Sequence, residues 1–145
     1  MTEFDAQEAR IDAIFGNEQE LSFEAAIERF YQYLLRSLKL PCDVTGIEDF
    51  RWEEYYVLGP GDEGEYEKLC KTQPSYQDTF ELLSIEKEVF GEWMMFDGED
   101  LAAFVRRKSD GKQFYLGLAE IEAVEQDSQN YQLLDDYSVW FVNSR

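Results

Sequence analysis

The stretch from Leu58 to Leu69, "LGPGDEGEYEKL", sets Asp62, Glu63, Glu65 and Glu67 behind a Gly-Pro-Gly turn. Carboxylates beside flexible glycines suit two different chemistries. They wrap a hard cation when the glycines let the backbone fold sharply and turn its carbonyls inward. They open a helix when Asp62 serves as N-cap and the acids face the positive end of the helix dipole. A second stretch, "FDGED", offers the same ingredients in Asp97, Glu99 and Asp100, and its Asp-Gly pair is also a turn dipeptide. Neither is an EF-hand: counted from Asp97, the fifth position is Leu101, where that loop requires an oxygen ligand. A third acidic pair, Asp135-Asp136, reads as the solvated face of a helix.

These acids belong to a wider imbalance. Nine of them lie between Asp43 and Glu67, with Arg51 as the single base. Across the chain 32 acids face 13 bases, for a net charge of −19. A field of that sign repels nucleic acid, whose affinity for proteins comes from Lys and Arg, and it repels anionic membrane surfaces. Cations and basic proteins remain as partners. Crowded carboxylates also repel one another, and a bound divalent ion would relieve that repulsion and add to stability.

Histidine is absent. The side chain most used for proton transfer near neutral pH is therefore missing, as is the usual zinc and iron ligand. Carboxylates and carbonyls suit Ca²⁺ and Mg²⁺ instead. No Gly-rich phosphate loop, nucleophile elbow or Cys/His pair is present, so a non-enzymatic protein is expected. Cys42 and Cys70 fit no metal-ligand spacing and read as reduced, buried thiols. The acidic start "MTEFDAQEAR" has no apolar run behind it, and no segment is long and apolar enough to span a bilayer; a cytoplasmic protein is expected.

The elements that must position these acids follow from periodicity. Residues 5–15 read as a short helix, stopped at Gly16. After a polar link, Ser22 caps a stronger amphipathic helix with Phe23, Ile27, Phe30, Leu34 and Leu38 on one face, ended before Pro41. From Pro41 onward "PCDVTGIEDF" and "EEYYVL" have strand-like content. "GDEGEYEKLCKT" reads as a turn and short helix, and "DTFELLSIEKEVF" as a strand. Asp110-Gly111 supplies the turn of a hairpin between Ala103–Lys108 and Lys112–Leu116. Asp127 or Ser128 caps a terminal helix with Leu133, Leu134, Tyr137, Trp140 and Phe141 as its apolar stripe. The basic "RRKSDGK" at the hairpin is either a charged, solubilising tip or an internal partner for the acids. The expected fold is α+β: a small bent antiparallel sheet or partial SH3-like barrel with N-terminal helices and a C-terminal helix. It is expected as one domain over 1–145, with a helical segment 1–40, a β-rich core 41–126 and a closing helix 127–145.

Two segments carry a family likeness. "FYQYLLRSLKLP" leads from a helix into the strand "CDVTGIEDF", and "FVRRKSDGKQFYLGLAEIEAVEQDSQNYQLLDDYSVWF" runs from strand to acidic stretch to helix. In both the chain resembles the small acidic calcium-binding proteins first recognised in cyanobacteria. It departs from them at Gly117-Leu118, where they tend to have Pro-Leu. The resemblance implies a small β-rich domain with helices that binds Ca²⁺ outside an EF-hand. The expectation is a calcium buffer or sensor, and its metal ligands, nominated by the two acidic loops and not by the resemblance, are Asp62, Glu63, Glu65, Asp97, Glu99 and Asp100. The other expectation is an acidic interaction protein that binds a basic protein partner or imitates the charge of nucleic acid.

Overall fold

The computed structural model describes residues 2–18 and 20–144; Gln19 of the polar link and the two end residues of the expected domain lie outside them. Two helices come first, α1 (Glu3–Ile14) and α2 (Phe23–Ser37). Ser22 caps α2 by accepting the N–H of Ala25, and the face that carries Ala26, Phe30 and Leu34 is buried. Gly16 takes a φ of +65° just after α1, a conformation that costs glycine little.

Five antiparallel strands follow: β1 (Cys42–Gly46), β2 (Thr79–Glu86), β3 (Ala102–Arg107), β4 (Gln113–Gly117) and β5 (Ile121–Ala123). They form one sheet in the order β4-β3-β2-β1-β5. The hairpin closes as its sequence requires, with Gly111 at a φ of +77° and its N–H donating to the Arg107 carbonyl.

This order forces the sheet to bend. Strands β4 and β5 are its two edges, yet only a 3-10 turn, Leu118–Glu120, joins them. Five strands laid flat would hold their edges roughly 19 Å apart. The short link reaches only about 13 Å. The sheet must curl until its edges approach. It stays open, since no ladder joins β4 to β5 among the described residues. The result is a partial barrel, not a closed one.

Between β1 and β2 the chain makes an excursion. Here the strand-like reading of "EEYYVL" fails: Arg51–Glu53 is a 3-10 turn that runs into α3 (Glu54–Val57). The cause is Glu53, which is fully buried. Its carboxylate accepts four hydrogen bonds, from the N–H groups of Phe50 and Tyr76 and the hydroxyls of Tyr66 and Ser75. Those bonds hold the backbone in a turn, and burial without them would be costly. Helix α4 (Glu63–Leu69) completes the excursion.

Helix α5 (Gln129–Asn143), capped by Ser128, lies on β5 and its preceding turn. Leu133, Leu134, Tyr137 and Phe141 are buried along it. Phe15, Phe23 and Phe30 meet Tyr137, Trp140 and Phe141 in edge-on and stacked contacts, joining all three long helices. Asp136 is no solvated residue. It is buried and takes both Arg10 and Gln7 of α1, so it fastens the first helix to the last. The two thiols, Cys42 and Cys70, are half-buried and unbridged.

Candidate functional site

The loop that carries Asp97, Glu99 and Asp100 is closely defined. Gly98 sits at a φ of +80°, with its N–H donating to the Val89 carbonyl at 2.8 Å. The N–H groups of Glu99 and Asp100 both reach the Phe96 carbonyl. The positive φ at Gly98 calls for glycine, and the exposed Phe90 ring covers the side on which a Cβ would stand. Asp97 and Glu99 face outward, whereas Asp100 is buried. Its Oδ1 accepts the Tyr137 hydroxyl at 2.6 Å, and its Oδ2 accepts the Ala119 N–H at 3.1 Å.

A second carboxylate approaches Asp100. Glu120 turns inward from the 3-10 link and accepts the Met95 N–H. A Cβ placed on Gly117 would collide with Oδ2 of Asp100 and with Oε2 of Glu120. Gly117 is thus the floor on which two acids converge, and this is where the chain departs from the Pro-Leu pattern. Burial pushes the Asp100 carboxyl up to about 8, opposed by the Tyr137 and Ala119 hydrogen bonds and helped by the nearby Glu120 charge. Burial likewise raises Glu120.

Asp100 and Glu99 also line a cleft of about 230 Å³, across which α2 presents Glu24 and Glu28. Glu88, after β2, lies on the same cleft and adopts a φ of +58°. Lys87 is the one base there, and it pairs with Glu28. The donors are therefore carboxylates with no histidine or thiol among them, a set that suits a hard cation.

The Asp62–Glu65 stretch behaves differently. Asp62 accepts the Glu65 N–H at 2.9 Å and so caps its own helix. Glu65 accepts the Tyr56 hydroxyl at 2.8 Å, and Asp62, Glu63 and Glu65 are all exposed. None of the three lines the cleft that carries Glu99 and Asp100. Among the described residues, no three acidic or cysteine side chains already converge closely enough to hold a metal ion.

The basic hairpin answers the acids internally. Arg106 pairs with Glu81, and Lys108 with Asp43. Arg107 is buried; it forks onto Asp78 and Asp110 and donates to the carbonyls of Cys70, Lys71 and Gln73 at the end of α4.

Several of these roles left no local signal in the sequence. Glu53, Glu120 and Asp136 are acids among many, and their burial depends on partners far along the chain. Gly117 gave the one hint, as a departure from a pattern.

No protein-family model matches the sequence, and no curated protein matches it. Two solved structures are similar. Anabaena CcbP shares the fold with a TM-score of 0.59 and 17% identity, over 97% of this chain and 93% of that one. A calcium binding protein in the calcium-binding form matches with a TM-score of 0.59 and 18% identity, over 99% of this chain and 98% of that one. Along nearly all of its length the chain has the fold of these two proteins, the fold that its resemblance to the small acidic calcium-binding proteins implies.

Proposed function

We propose that this protein binds Ca²⁺ and acts as a non-enzymatic buffer or sensor. The observation that carries this is the likeness of fold, over nearly the whole chain, to a protein described in its calcium-binding form. The net charge of −19 and the acid-lined cleft beside the 97–100 loop support it.

Asp97 and Glu99 are the outward ligands of that loop. Asp100 anchors it from behind and contributes through its own carboxylate once Tyr137 yields. Glu24 and Glu88 line the cleft that Glu99 and Asp100 share, whereas Asp97 lies outside its lining. Asp62, Glu63 and Glu65 form a second, weaker position, because a helix N-terminus carries positive potential and Asp62 is committed to its cap. Ligands that must gather around the ion lose some of the binding energy to reorganisation, so the affinity is modest.

Calorimetric titration with Ca²⁺ and Mg²⁺, paired with melting curves, tests the reading. Heat on Ca²⁺ addition and a raised melting temperature are expected. No heat and an unchanged melting temperature at millimolar Ca²⁺ would refute it. A sensor would change hydrogen exchange in segments remote from the ion, whereas a buffer would change it mainly around the binding loop.

A further inference from the structure

We propose that the cleft between the end of β1, α3 and α5 is a docking groove for a basic amphipathic helix of a partner protein. The cleft, about 280 Å³, adjoins the base of the 97–100 loop at Phe96 and shares Glu120 with the Asp100 cluster, but Asp97, Glu99 and Asp100 are not in its lining. Its walls are apolar: Ile47 after β1, Leu58 at the end of α3, Met95, and Val142 on α5. Leu58 is 79% exposed and Val142 63%, although both are large aliphatic side chains. Phe96, Ala119 and Phe141 make the floor, with the polar groups of Glu120 and Ser138 set among them. Scattered exposed apolar residues are ordinary, but several that share one concave surface mark a contact site.

The rim states the charge of the occupant. Glu48, Asp49 and Glu54 stand around the apolar walls, and none of them is in an ion pair among the described residues. The nearby base, Arg51, lines a different cleft with Trp52 and Trp93. Arg10, Arg106, Arg107 and Lys108 are engaged with acids elsewhere in the fold and none of them pairs with this rim. A single metal ion would not cover Leu58 and Val142. A helix with leucine-like residues along one face and lysines flanking it satisfies both the walls and the rim. The groove is bounded by helices and turns and offers no strand edge at which an extended peptide could add.

The test uses the full chain in EDTA, so that its outcome does not depend on calcium binding. The probe is a fluorescent Leu/Lys peptide with leucines at i, i+3, i+4 and i+7. Its shuffled isomer, with the same charge but no apolar face, is the control. Saturable anisotropy change with the amphipathic peptide alone, weakened by salt, is expected. Leu58→Asp should weaken binding about tenfold or more, as loss of a central apolar anchor does. The double reversal Glu48→Lys with Glu54→Lys should weaken it comparably. Phe4→Asp, at an exposed aromatic of α1, should leave it unchanged. All the substituted side chains are exposed, and melting curves verify that each variant folds. Equal binding of the shuffled isomer would overturn the proposal, as would an unaffected Leu58→Asp variant. So would a dimer in solution that Leu58→Asp dissociates while the peptide fails to bind; the occupant would then be a second copy.

Discussion

The Tyr137 hydroxyl donates to Oδ1 of Asp100 at 2.6 Å while it accepts the Leu101 N–H at 3.0 Å. One phenol on α5 thereby fixes both the buried acid and the backbone that leads from the 97–100 loop into β3. Tyr137→Phe leaves the Leu101 N–H and a carboxylate oxygen without their partner in a fully buried site. A loss of about 1–3 kcal/mol is expected, measured by urea denaturation.

Arg107 is the other buried tie. Arg107→Leu strips Asp78, Asp110 and three carbonyls of their donor and should cost about 3–5 kcal/mol. Arg107→Lys keeps the charge but not the fork, and should recover only part of that loss. Comparing the two denaturation midpoints separates charge from geometry.

Acid should act on the same cluster. The Arg107 hydrogen bond, aided by the Lys112 N–H, holds the Asp110 carboxyl down at about 2, against an ordinary 3.8. A folded-state value below the unfolded one contributes stability that is present above about pH 4 and lost as the pH falls through about 2. Melting curves of Asp110→Asn should therefore fall less steeply over that window than those of the parent.

The two acidic stretches should separate under substitution. Asp97→Asn with Glu99→Gln should weaken Ca²⁺ binding more than Asp62→Asn with Glu63→Gln does, by calorimetry. Asp62→Ala should instead cost about 1 kcal/mol of stability through the lost cap. A larger loss of calcium affinity from the Asp62/Glu63 pair would place the ion at α4.

Gly117→Ala should destabilise the protein although its backbone is extended and unstrained. The added methyl displaces Asp100 or Glu120 from its hydrogen bonds. A melting temperature equal to that of the parent would mean that the two carboxylates move apart freely.

Much of the fold could be read from local pattern. The apolar spacing of α2 and α5, their serine caps and the Asp110-Gly111 turn are all short-range signals. The strand-like look of residues 53–58 misled because tyrosine and valine propensities were overruled by one buried glutamate with distant partners. Asp136 was misread for a similar reason, since Arg10 lies at the other end of the chain. The 97–100 and 62–65 loops were legible as acidic turns. Which acids face outward and which turn inward depends on tertiary contacts. The apolar groove was invisible, because its walls come from separate stretches of chain that share no motif.

The short Leu118–Glu120 link that draws the sheet edges together also sets an order of events in time. β1 pairs with β2 and with the much later β5, so its place is secured only when the C-terminal part of the chain arrives. Such distant pairings must be reached against chain entropy before they stabilise anything. The β2-β3-β4 meander is built from neighbours and should form first. Closure by β5 and α5 would then be the slow step, and until it occurs one side of β1 is an open edge.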